Sequence, residues 1–457
     1  MHSNMLRRNF LQTPAALAAA AAARPAASQA PAPLWPSLTL NVRDFGARGD
    51  GTTKDTAAIQ QALDRCSVLG GGTVLVPSGG YLTGAVALRS NTLLRLEKDA
   101  AILGSPDPAD YPVTQVRWEG KWIPGHAGLI YAIDASHIGI GGPGRIAGNP
   151  AVGGRPSPRD PLRRPALVEP IGCSGVLLEG FSATQGLMWA VHVTNSRDIA
   201  IRNLNIRTTT GNGDGIDIDS CQRVRIEACD IATGDDCIAI KSGRGSEAYK
   251  LLQTTEDVLI TGCTFADSNF ACIGIGSEAS GGIRGVRIER CAFTAARTHA
   301  IYVKTRIGRG AFIEDIAASD LEASGLARGF LQINALTAGL RDEDPVPGEE
   351  GIPRLRNFRF SNVRLHDCPM LADATLIHPD KPLEGFALLD VTGTCGKGIT
   401  LANIRKAEIR NIKITGFTGP LISVYNVSGK GLEGAAPIGP PKIPDLVAPP
   451  AQPYRLH

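Results

Sequence analysis

"VRIEACDI" (Val224–Ile231), "VLITGCTF" (Val258–Phe265) and "VRIERCAF" (Val286–Phe293) are three versions of one eight-residue phrase. "VLLEGFSA" from Val176 and "IAIRNLNI" from Ile199 repeat it upstream, so that successive copies begin 23, 25, 34 and 28 residues apart. Weaker copies follow at "FRFSNVRL" and "ITLANIRKAEIRNIKI". Alternation with period two marks a strand, and recurrence every 20 to 50 residues marks a stacked array rather than separate domains. The bounding turns are rich in Gly, Asn, Ser and Asp. Among 457 residues, 53 glycines and 31 prolines also favour turns and strands over helical bundles. The expected fold is all-β: a single-domain right-handed parallel β-helix over residues 31–430, each coil burying its apolar positions and hydrogen-bonding to the coils above and below.

A cysteine follows the first valine of each copy by five residues, at Cys229, Cys263 and Cys291. Such a column reads as a stack of small buried side chains. Cys221 and Cys237 are left as either a disulfide or two free buried thiols.

The first thirty residues read as an export label. "RRNFLQ" (Arg7–Gln12), a short alanine-rich stretch and the small residues of "ASQA" resemble a twin-arginine signal peptide with its cleavage site. This predicts a periplasmic or extracellular protein. Removing residues 1–30 removes Arg7, Arg8 and Arg24 and no acid, which takes the formal charge from +3 to 0. A balanced chain lacks the basic face of a nucleic-acid binder, and no segment is long and apolar enough to span a membrane. Residues 336–355 read as a polar excursion from the solenoid, and residues 431–457 as an extended Pro-rich tail. A monomer is expected.

"GNGDGIDIDSCQRVRIEACDIATGDDCIAIKSG" (Gly211–Gly243) crowds six aspartates into an otherwise apolar alternation. Neighbouring parallel strands lie about 4.8 Å apart, so residues one coil apart in sequence become neighbours in space. Asp214 stands 21 residues before Asp235 and 22 before Asp236, and the three should share one patch. Asp217 and Asp219 alternate with Ile216 and Ile218 and read as structural. Mutual repulsion makes such a cluster costly unless a ligand, a metal or a retained proton relieves it. Glycoside hydrolysis by an acid and base pair and calcium binding are its two chemical uses.

"NGD" (Asn212–Asp214), "GDD" (Gly234–Asp236) running into "CIAIKSG", and "IGSE" (Ile275–Glu278) resemble, in order and spacing, glycoside hydrolase family 28, the polygalacturonase family of pectin-degrading enzymes. "DFGARGDGTTKDTAAIQQALDRC" resembles the N-terminal cap of pectin-active β-helices: a loop, then a short amphipathic helix with Asp55 or Thr56 as N-cap and Ile59, Ala62, Leu63 and Cys66 on one face. The resemblance covers residues 38 to 315. It implies an inverting hydrolysis of pectic polysaccharide without cofactor or bound metal. Asp235 would be the general acid, while Asp214 and Asp236 hold and deprotonate the attacking water, the carboxyls standing about 6.5 to 9.5 Å apart.

The chain departs from the family pattern twice. The family's Gly-His-Gly histidine falls at Phe270, and its Arg-Ile-Lys falls on Tyr302, Val303 and Lys304. Lys304 is expected to bind anionic substrate or an acid. Asn212, Phe270 and Tyr302 are candidate substrate contacts, as are His299, which with Arg306 offers to replace the missing cations, and His192, which matches a family histidine in "WAVH". A rhamnogalacturonan hydrolase, a calcium-dependent polysaccharide lyase and a catalytically inactive sugar-binding β-helix are the alternatives.

Overall fold

In the valine repeat Val176 pairs with Ile199, Ile199 with Val224, Val224 with Val258 and Val258 with Val286, all in parallel register. The computed structural model describes residues 35–152 and 162–444 of the chain. All of these belong to the unit Trp35–His457. The stack continues through Ile316, Phe358 and Phe386, and each of these eight side chains is at most 2 % exposed. One apolar column thus runs up the inside of a right-handed parallel β-helix, β-branched in its middle coils and aromatic in its last ones. Thirty-four of the described strands form one parallel sheet wound into coils.

The corners follow from local chemistry. Asp198, Arg223, Asp257, Gly285, Asp315 and Asn357 take positive φ at successive coils. Short polar side chains tolerate the left-handed region best. Several then bond to the same corner one coil away, as Asn357 Nδ2 does to Asp315 at 2.8 Å.

The amphipathic helix forms as expected at α1 (Thr56–Val68), burying Ala58, Ile59, Ala62, Leu63 and Cys66 over the first coils. Asp55 is its N-cap residue, but the carboxylate does not cap the helix. It turns back to accept from the backbone N–H groups of Arg48 at 2.7 Å and Gly49 at 3.0 Å, fastening the preceding loop.

All ten cysteines are free and buried, and Cys229, Cys263 and Cys291 form the expected stack at 1–2 % exposure. The disulfide considered between Cys221 and Cys237 does not form. Cys221 Sγ bonds to the carbonyls of Val193 and Asp219, both at 3.3 Å, while Cys237 Sγ turns to that of Asp267 at 3.2 Å. Beyond residue 431, Ala436 and Pro437 still pair with Ser423 and Val424. The signal segment lies outside the described residues. Among the described residues no helix is long and apolar enough to cross a membrane.

Two excursions leave the coils. One is the antiparallel hairpin of Val113–Trp118 and Lys121–His126. The other spans residues 335–352 and packs on α2 (Gly245–Leu251), where the backbone N–H of Ser246 bonds to the Asp344 carbonyl at 3.0 Å.

Candidate active site

The strands His299–Lys304, Ile273–Gly276, Ile238–Lys241 and Ile216–Asp219 lie side by side on one face. Their buried isoleucines and valines alternate with outward residues, so parity alone aims Asp217, Lys241 and Lys304 outward. Asp214 and Asp236 precede two of these strands at equivalent positions: the N–H of Gly215 bonds to the Asp236 carbonyl at 3.0 Å. Asp214 therefore lies one coil below Asp236, as the spacing predicts. One carboxylate oxygen from each of Asp214, Asp235 and Asp236 lies within 4.8 Å of those of the other two. This corrects the wider spacing expected of an acid and base pair, because adjacency in the chain and the interstrand distance together set a tighter cluster.

Environment separates the three. Asp214 and Asp236 are recessed, at 3 % and 2 % exposure, whereas Asp235 is half-buried. Asp235 Oδ1 accepts the backbone N–H of Asp236 at 3.0 Å. Asp236 accepts the N–H of Ala271 at 3.2 Å and pairs with Lys304 Nζ. Burial raises its pKa, Lys304 opposes the rise, and Asp235 adds to it. Burial, reinforced by Asp217 and then Asp235, holds Asp214 well above the usual carboxylate range. The cluster thus retains a proton under conditions where isolated carboxyls have lost theirs.

Lys304 reaches Asp236 from two coils away, and one glycine permits it. A Cβ at Gly274, the intervening position, would lie 2.5 Å from Asp236 Oδ2 and 3.0 Å from Lys304 Cε. The ammonium also sits 4.6 Å from the centroid of the Phe270 ring, and Phe270 and Tyr302 face one another at 5.9 Å. Phe270 and Tyr302 thus place two aromatic faces beside a lysine already engaged by Asp236.

The remaining expected contacts divide. Asn212 has positive φ, and its buried Oδ1 has no hydrogen-bond partner, which leaves an acceptor beside Asp214. His299 packs on Tyr302 at 5.7 Å, but burial, with Arg328, lowers its pKa to about 4. It is therefore a neutral imidazole near neutral pH and does not replace a missing cation. Arg306 donates to the Gly339 carbonyl at 2.6 Å. His192, expected as a substrate contact, is fully buried. It bonds to Glu169 at 3.1 Å and Thr194 at 2.9 Å and supports the edge of Trp189 at 4.8 Å, so it positions the wall of the site instead of lining it.

Sequence reasoning missed a second group. Lys241 Nζ lies 2.9 Å from Asp217, 3.9 Å from Asp214 and 3.7 Å from the Trp189 ring centroid. Burial drives Asp217 up to about 7 even though Lys241 opposes it. Asp217, read as structural, therefore belongs to the ionic network of the site. Glu278 is also buried there; burial works against its charge, yet Lys241 and Arg309 hold it down to about 2. Both Lys241 and Glu278 stand within the quoted motifs, and a lone charge closing an apolar strand was the signal available.

Comparison with known proteins shows the family. Residues 66–334 match the family described as "Glycosyl hydrolases family 28". A probable polygalacturonase from Vitis vinifera is 34 % identical over 379 residues, covering 80 % of this chain and 74 % of the relative. The structure of an exopolygalacturonase from Thermotoga maritima aligns with a TM-score of 0.69 at 26 % identity, covering 84 % of this chain and 93 % of the other. A family 28 exopolygalacturonase from Yersinia enterocolitica shares the fold at a TM-score of 0.73 and 22 % identity, over 86 % and 78 % of the two chains.

Proposed function

Because the chain belongs to glycosyl hydrolase family 28, it is a glycoside hydrolase, and we propose that it cleaves pectic polysaccharide, polygalacturonase-like, with inversion at the anomeric carbon. The observation that carries this reading is the division of the three carboxyls into one half-open and two recessed groups. Asp235, open to the groove, is the group a glycosidic oxygen meets. It donates its proton as the C1–O bond breaks. A water bridging Asp214 and Asp236, whose spacing suits two hydrogen bonds to one oxygen, attacks C1 from the other face and gives its proton to Asp236, whose charged form Lys304 supports.

The short separation resembles that of retaining enzymes, in which a carboxylate attacks directly. Two features oppose that course. Asp236 is tied to Lys304 and the Ala271 amide, and Asp214 is biased toward its protonated, non-nucleophilic form. Proton NMR of the first product decides: the anomer opposite to the substrate's supports inversion, and the same anomer refutes it. Asp235→Asn should lower kcat by about 10² or more, and full activity in that variant would remove Asp235 from its role.

A cation could bridge the same three carboxylates, but Lys304 and Lys241 already supply positive charge there. The hydrolytic reading expects activity to survive a chelator and products to lack ultraviolet absorbance. A concavity of about 930 Å³ on another face of the coils, lined by Arg223, Glu256, Arg284 and Arg287 among others, is a weaker candidate. Its cations face acids, as Arg284 does Glu256 at 2.5 Å. Export by the twin-arginine route rests on Arg7 and Arg8, and their replacement by Lys should abolish secretion.

The Phe270 and Tyr302 faces suit the apolar side of a sugar ring, and Lys304 is engaged by Asp236. The subsite they line should favour a less acidic unit, such as rhamnose or an esterified galacturonate.

A further inference from the structure

The floor of the groove is a single column of outward side chains, one per coil. It runs through Glu169, His192, Asp217, Ala239, Gly274, Tyr302, Gln332, Asp373, Thr400 and Ser423. Strand register joins all but the first pair directly, from His192–Asp217 to Thr400–Ser423, and Glu169 precedes His192 by the pairing of Val168 with Val191. Exposure along this column changes at the catalytic coils. Glu169, His192, Asp217 and Ala239 are all 0 % exposed. Tyr302, Gln332, Asp373, Thr400 and Ser423 are all partly open. Polar side chains on the outer face of a solenoid are normally wet, so something covers the first part of the column.

The cover is layered: Arg163 pairs with Glu169 at 2.5 Å, the Trp189 ring packs on His192 and Lys241 pairs with Asp217, and over these lies the hairpin Val113–His126, whose Arg117 carbonyl accepts from Arg163 Nη1 at 3.2 Å. Arg117 anchors it past the C-terminal end of one strand, pairing with Asp219 at 3.2 Å. Trp118 crosses over and stacks on Trp189, before the start of the neighbouring strand, at 5.2 Å. Gly120 sits so close to Arg244 that a Cβ there would approach the Arg244 Cβ to 2.6 Å, and its carbonyl accepts the Arg244 N–H at 3.0 Å. Lys121 joins the hairpin to Asp344 of the second excursion, and Arg244 Nη1 reaches the Arg341 carbonyl at 3.3 Å. The two excursions thus form one continuous wall. Arg117 and Trp118 are at most 4 % exposed, so the hairpin is tightly packed where these two residues meet the coils.

From these observations we infer that the substrate groove is closed at the hairpin end, directly beside the carboxylates, so that the enzyme acts from a chain end and releases units of one short, fixed length. The inference rests on the hydrolytic reading above and adds the mode of attack to it. On the open side, four interstrand steps from Tyr302 to Ser423 give roughly 19 Å, room for about four sugar rings. On the closed side the wall begins at the coil of Asp217, one step from Ala239. A polymer cannot continue through it, whereas a terminal sugar can stop against it. The unpartnered Asn212 Oδ1 stands at this end, able to accept from a terminal hydroxyl.

The test follows digestion of polygalacturonate, rhamnogalacturonan and esterified pectin, with product length by anion-exchange chromatography and viscosity measured on the same samples. The expected result on whichever polymer is cleaved is one short product from the first per cent of turnover, with viscosity falling only in proportion to sugar released. A mixed ladder of lengths, with viscosity halved after a few per cent of bonds are cut, would overturn the closed groove and leave the hydrolase reading standing. Folded protein that cleaves none of the three polymers would sink both. Trp118→Ala, which removes the stack on Trp189 without touching a carboxylate, should lengthen the first product by one unit or more. An unchanged product length in that variant, with Tm showing it folded, would show that the hairpin is not the wall.

Discussion

Lys241→Met tests the ionic balance of the site. Methionine has nearly the length of lysine, so packing against Trp189 is retained while the charge is lost. Lys241 is 5 % exposed. Burial disfavours its charge, yet Asp217, Glu278 and Asp214 hold its pKa well above the ordinary lysine value. Removing one member of a buried ion pair costs about 3–5 kcal/mol, since the partner is left uncompensated. Unfolding entropy of about 2.1 cal/mol/K per residue over about 400 residues gives about 0.8 kcal/mol/K, so Tm should fall by about 4–6 °C. The effect should depend on pH. Asp217 has its pKa raised to about 7, so its contribution to stability is full below its unfolded value of about 4 and is lost as pH rises toward 7. Without Lys241 that pKa rises further, and the loss continues above pH 7. Differential scanning calorimetry of both proteins from pH 5 to 8 should show the gap in Tm widening with pH. A gap that is constant across this range, or below 1 °C throughout, would refute the ionic account of Lys241.

Gly274→Ala should push Asp236 and Lys304 apart and lower kcat by about 10², the usual cost of a displacement near 1 Å at a reacting centre; normal turnover would mean that their contact is dispensable. Glu169, fully buried, is brought down from 4.5 to about 2 by Arg163 and His192 although burial opposes them. Its contribution of about 3 kcal/mol is therefore present above pH 4.5 and lost as pH falls toward 2. Glu169→Gln should flatten the acid limb of a Tm profile, and an unchanged limb would count against it. Tyr302→Arg restores a bidentate carboxylate donor and should raise activity on polygalacturonate relative to esterified pectin by about tenfold. No shift in that ratio would show that Tyr302 does not set the preference.

The coils were legible because each obeys the same local rule. Alternation gave the strands, and the valine repeat gave the register to the residue, from Val176 to Val286. The juxtaposition of Asp214 with Asp236 followed from that register alone. What stayed hidden comes from segments that break the repeat. Nothing periodic links Trp118 to Trp189 or Lys121 to Asp344, which stand 71 and 223 residues apart. His192 was read as facing substrate because parity does point it outward; Glu169, Thr194 and the Trp189 ring close over it, with Trp118 of the hairpin stacked on that ring. Lys241 was in plain view, but its partner Asp217, alternating with Ile216 and Ile218, read as structural. Its role emerges from burial, which no single position in a sequence reports.

The site draws Asp214, Asp236, Gly274 and Lys304 from four successive coils, tied by a lysine that skips one of them. A solenoid is quasi-one-dimensional, and its ends can fray while its middle persists. Here the middle is where the chemistry is. Unravelling from the C-terminal end must strip the aromatic coils of Phe386 and Phe358 before it reaches Lys304, so catalytic competence should outlast the first loss of structure on heating and then vanish in one step.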